Sequence, residues 1–234
     1  MTCALNLDTL HLDEGAHDNP AEGLCLMEAV AFVAGQPHTD HPPCVSEVLG
    51  MFGRALNDRL GDDRRQLLKP LIPLLPGTAG DGLDEARGYL ALDWLVRTYT
   101  PAWLDLAGLT VEAAELRTLR RIVDLAAAQA AGSVVRASAV KASAAAAAAW
   151  DAAGAAAAAA AWDAAGAAAA AAAWDAAAAA AWDAAGAAAA AAAGDAAGAA
   201  SGAAAAAALK PTVDQLQESA IDLFTRMIRP DVQA

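Results

Sequence analysis

The sequence predicts an all-α protein: a compact helical head followed by a long Ala-rich helix or helical hairpin. Three observations point there. Apolar residues in the first 142 positions recur at the three- and four-residue spacing of helices. Of the 65 residues from 144 to 208, 49 are alanine, the residue with the highest helix propensity. The segment that follows is amphipathic at the helical period. Composition divides the chain in the same way. Residues 1–142 are a head with an ordinary mixture of 19 acidic and 12 basic groups, 143–208 an Ala-rich tetrad repeat, and 209–234 a C-terminal amphipathic helix.

Along the head, Leu5, Leu7, Leu10 and Leu12 alternate, which suggests a short strand or an extended arm over Ala4–Leu12. Leu24, Met27, Val30 and Ala31 fit a helix over Ala21–Val33, stopped by Gly35, Gln36 and Pro37. Val48, Leu49, Phe52, Leu56 and Leu60 share one face of a helix over Val45–Leu60. Pro70, Pro73 and Pro76 cut the apolar run Arg64–Leu75 into a short helix with a kink or turn, and Gly77–Gly82 reads as a loop. Asp84–Tyr99 is a helix, and Pro101 suits the first turn of the next one, Ala102–Leu106. Thr110 is placed to cap a helix over Val111–Leu125, with Glu112 and Glu115 near its positive end.

The repeat is built of tetrads. Trp150, Trp162, Trp174 and Trp182 each precede an aspartate, at spacings of 12, 12 and 8 residues. Twelve residues advance a helix by about 120° net at roughly 100° each, so successive rings point to different faces. An ordinary two-stranded seam cannot follow that drift. The four tryptophans therefore stand as candidate interaction residues, met by neighbours on several sides. Tolerated expansion of a harmless helical tract is the bland alternative, and a solenoid with four-residue sides is the other architecture weighed. Gly194, Gly198 and Gly202 mark the likeliest turn, and Pro211 and Thr212 reset the chain. Val213–Ile228 then carries an apolar face of Val213, Leu216, Ala220, Leu223, Phe224, Met227 and Ile228.

Charge narrows the function. The chain has 15 basic and 28 acidic residues, a net of −13, against what phosphate binding or an anionic lipid surface requires. Asp151, Asp163, Asp175, Asp183 and Asp195 interrupt the alanines too often for a membrane span. Three cysteines, and no basic residue before Arg54, fit a reducing cytoplasm without a secretory leader.

One segment carries ligand chemistry. GQPHTDHPPC sets His38, His41 and Cys44 at three-residue intervals, and Cys25 lies 13 residues before His38. Two thiolates and two imidazoles make a complete tetrahedral zinc set. Glu28, one turn from Cys25, is a further ligand or an orienting neighbour. The bland alternative makes Cys25 a small buried apolar residue, Cys44 the start of a helix and the histidines exposed loop residues. A Cys25–Cys44 disulfide or redox pair, and a Cys25–His41 nucleophilic pair, are also open. No glycine-rich phosphate loop or nucleophile elbow accompanies them.

The stretches CLMEAVAFVAGQPHTDHPPC, LLKPLIPLLPGT and ALDWLVRTYTPAWLDLAGL resemble a family of uncharacterised actinobacterial and phage proteins with Ala-rich tetrapeptide-repeat tails. The resemblance covers about residues 12–125 and the style of the tail, through Cys25, Glu28, His38, Asp40, His41, Pro42, Cys44, Asp93, Trp94 and Arg97. It implies no activity. Taken together, the residues predict a non-enzymatic structural or interaction protein, a homo-oligomer or the binder of a protein partner. A zinc-binding regulator is the alternative. An ice-binding protein and a Cys-dependent enzyme stand further back.

Overall fold

The computed structural model describes residues 6–153 and 202–230, and among these every regular element is helical. The chain divides into two compact units, Met1–Gly88 with Ala220–Ala234, and Tyr89–Ser219.

In the first unit, α1 (Leu26–Val33) packs on α2 (Glu47–Arg59) and on a 3-10 stretch, Gln66–Leu74, which follows the short α3 (Asp62–Arg65). The predicted kink at the prolines is this 3-10 stretch: Pro70 and Pro73 lack the N–H that a regular α-helix would use. Leu26, Met27, Leu49, Leu68, Ile72 and Leu75 are fully buried at its centre. Of the short strand or extended arm expected over 4–12, residues 4 and 5 lie outside the described residues, and no strand forms among the rest. Leu12 is buried, but its amide and carbonyl are met by the side-chain amide of Gln66, at 2.9 and 3.0 Å. A single side chain does the pairing of a neighbouring strand, so Leu12 lies in an arm and not a sheet, while residues 7–9 form a turn in which the Thr9 and Leu10 amides donate to the Asn6 carbonyl. Asn57, also fully buried, ties that arm to α1: it accepts from the Leu26 amide and donates to the Asp13 carbonyl.

The end of α8 (Gly202–Ile228) belongs to this unit. Leu223, Phe224, Met227 and Ile228 are buried, and the Phe224 ring stacks on Phe52 at 5.6 Å. Arg87 has no exposed surface. Its guanidinium donates to the carbonyls of Met227 and Ile228 at the helix's negative end, and to Asp81 and Asp84. The amphipathic face predicted for 213–228 is thus confirmed, while the predicted reset at Pro211 is not. Helix α8 runs through Pro211 from Gly202, a residue expected in a turn. Its first seven residues are Gly202 and the alanines 203–208, whose propensity holds the helix across one missing hydrogen bond.

The second unit begins at Tyr89, within α4 (Asp84–Trp94), and the helical run continues through a π-turn, Leu95–Tyr99, into α5 (Thr100–Leu106). The widened turn has a local cause. Thr100 Oγ1 donates to the Leu95 carbonyl at 2.8 Å, five residues back, and Pro101 follows with no N–H to place. Gly108, at φ +76°, ends α5, and the Leu109 amide closes back on the Leu104 carbonyl. Helix α6 (Thr110–Thr118) begins at once. Thr110 is therefore in its first turn, and the cap position is Leu109, without a side-chain bond.

The predicted single helix over 111–125 is two helices. Leu119 is extended, the Ile122 amide donates to Asp93 at 2.8 Å, and Ile122 is buried. Asp124 then caps α7 (Leu125–Ala153) by accepting from the Ala127 amide at 2.7 Å. Among the described residues of α7, Ala127, Ala128, Ala131, Val135, Ser138 and Ala142 are buried in a stripe at three- and four-residue spacing, while Val140 is exposed.

Candidate functional site

Glu28 gathers the ligand-type side chains of the first unit. Cys25 sits in extended geometry just before α1, and Glu28 is the third residue of the helix, so its carboxylate folds back to accept the Cys25 amide at 2.8 Å. That bond starts the helix at Leu26, five residues later than its apolar pattern suggests. The same carboxylate takes the His17 amide at 2.6 Å and faces His17 Nδ1 at 2.9 Å. Gly35, at φ +67°, terminates α1 and turns the following loop back along it. The turn brings His38 to the site, where its Nε2 donates to the His17 carbonyl at 2.8 Å and lies 3.6 Å from Glu28.

Glu28 is 1 % exposed. Burial alone would raise its carboxyl, but the amides and side chains of His17 and Cys25 outweigh that and hold it below the usual carboxylate range, so it is ionised. The Cys25 thiol is pushed up to about 12, first by burial and then by the neighbouring Glu28 charge. It is a protonated thiol with little nucleophilic character at neutral pH.

Of the four residues expected to bind zinc, Cys25 and His38 both meet Glu28. His41 and Cys44 have other surroundings. His41 Nδ1 pairs with its neighbour Asp40 at 2.7 Å, and the ring lines an open cavity of about 400 Å³ with Pro42, Pro43, Ser46 and Arg54. Cys44 is half-buried, and its carbonyl holds the amides of Gly77 and Ala79. Both thiols are free, so the expected alternative of a Cys25–Cys44 disulfide is not formed. As they stand, no three His, Cys, Asp or Glu side chains among the described residues are set to hold a metal ion.

His17 carries no spacing signature in the sequence, and nothing there pointed to it. Glu28 was expected here as a ligand or an orienting neighbour, from its place one turn after Cys25.

Of the candidate interaction residues, Trp150 belongs to α7. Trp162, Trp174 and Trp182 lie outside the described residues, as do Gly194 and Gly198. Among the described residues, no helix is long and apolar enough to cross a membrane. No protein-family model, curated protein or solved structure matches the chain.

Proposed function

We propose that the chain is a non-enzymatic interaction protein that uses its Ala-rich segment to associate with a second copy of itself. The observation that carries this reading is the character of the helices on either side of the repeat. α7 takes the chain into the tract on a buried stripe of small residues, and α8 takes it out again through the alanines 203–208. Small residues let helix backbones approach closely, and four tryptophans spaced by multiples of four add large apolar area on several faces. The state of Cys25 supports a non-enzymatic role, because a buried thiol held protonated is a poor nucleophile. The repeat contains no threonine row of the kind a flat ice surface calls for.

The test is to replace Trp162 and Trp174 together by alanine. The reading expects a lower oligomeric mass by light scattering, with helicity by circular dichroism nearly unchanged, since alanine propagates helix at least as well as tryptophan. An unchanged mass would overturn it.

A further inference from the structure

We propose that the open cavity lined by α5, α6 and α8 receives a Trp–Asp pair from the Ala-rich tract of a second copy, with Arg117, Arg120 and Arg121 meeting the aspartate. The site rests on the self-association proposed above and names the surface that the tract engages.

The tract itself is the first observation. Each of its four tryptophans is followed directly by an aspartate, at Asp151, Asp163, Asp175 and Asp183, and residues 144–208 contain no lysine or arginine. Every such pair offers one large ring and one negative charge at adjacent positions among small residues.

The cavity is the second. Its volume is about 490 Å³, inside the range of about 300–1,000 Å³ usual for ligand sites. All of its lining residues belong to the second unit. Ala102 and Leu106 of α5 and Leu216 of α8 supply apolar lining for a ring, and Thr98 and Gln215 carry oxygens that can accept an indole N–H.

Charge is the third. Residues 116–123 hold three arginines and no acidic residue, in a chain of net charge −13. Arg117 lines the cavity, and its Nη2 donates to Asp105 at 2.5 Å. Its Nε and Nη1 bond to no described residue, so they remain for a second carboxylate. Arg120 and Arg121 follow close behind, both exposed, and neither side chain bonds to a described residue.

The run of the chain makes the donor a second copy. Helices α6 and α7 are antiparallel: the link after Thr118 joins the Arg117 end of α6 to Leu125, and Lys141 of α7 pairs with Glu112 near the other end of α6. Trp150 comes nine residues after Lys141, about 14 Å further along α7 at about 1.5 Å per residue. Helix α7 thus carries Trp150 and Asp151 away from the Arg117 end of their own unit, which presents them to another molecule.

The test is a charge exchange in the full chain, read by sedimentation equilibrium. Arg120→Glu with Arg121→Glu should weaken self-association at least about tenfold, because like charges then face each other. Both arginines are exposed, so the fold is retained. Replacing Asp151, Asp163, Asp175 and Asp183 together by lysine should weaken it in the same way. An equimolar mixture of the two variants should associate as the parent does, a rescue that a merely structural role for either set would not give. Ala102→Leu, which fills the cavity and leaves the charges in place, should also weaken association. A parent that stays a single chain at every concentration overturns both the site and the reading it rests on. A parent that associates, alongside an arginine variant that associates equally, overturns the site alone, and so does weakening without rescue in the mixture. A tract that docks on its own head would leave the mass of the arginine variant unchanged and counts against the site in the same way.

Discussion

Arg87 shows how much one side chain decides. It is fully buried, it closes the carbonyl end of α8, and it holds Asp81 and Asp84. Both carboxylates keep some contact with water, so removing the guanidinium leaves them less stranded than a fully buried pair would be. Arg87→Ala is expected to destabilise the chain by about 2–4 kcal/mol, read as a lower urea midpoint. The hydrogen bond from Arg87 holds the Asp81 carboxyl below its ordinary value. A depressed folded pKa means that the stabilisation is complete above the unfolded value near about 4 and is lost as pH falls through the folded value. The parent should therefore lose stability below about pH 4 in part through this pair, and Arg87→Ala should lose less over the same range. Equal acid dependence in the two would contradict that assignment.

Glycines within helices offer a controlled pair at the scale of the element. Gly53 lies in α2, where a methyl group would stand 2.6 Å from Met27 Cε and 3.0 Å from Phe224 Cζ. Gly88 lies in α4 with nothing within 4 Å of the same position. Gly53→Ala is expected to cost about 1–3 kcal/mol by overpacking, less where the Met27 tip can move, and Gly88→Ala to add about 0.5–1 kcal/mol. Thermal melts of the two variants should shift in opposite directions. Pro211 belongs to the same scale. It sits inside α8 without its hydrogen bond, so Pro211→Ala is expected to stabilise the helix by up to about 3 kcal/mol. A loss of stability there would mean that the proline shapes the packing of α8.

Across the molecule, the all-helical class was legible because hydrophobic period and alanine propensity both act locally. The apolar face of α8 followed from the same period, and the proline-cut run after α3 was read correctly as broken. What the sequence concealed was set by partners distant along the chain. The arm at Leu12 is paired by Gln66, 54 residues away, and the break after Thr118 is fixed by Asp93 through the Ile122 amide. Three of the four members of the ligand-type cluster were visible: Cys25 and His38 were named from their chemistry, and Glu28 from its place one turn along the helix. His17 reaches the cluster from a loop that only the fold brings there. Cys25 and His38 thus belong to one side-chain cluster, whereas His41 owes its surroundings to its own neighbour, Asp40.

The central claim is that this chain associates with itself through the alanine-rich segment, and sedimentation equilibrium of the intact chain over a range of concentrations tests it most directly. The account predicts a mass of at least twice 23.4 kDa that falls toward the single chain on dilution. A mass of 23.4 kDa at every concentration would contradict it.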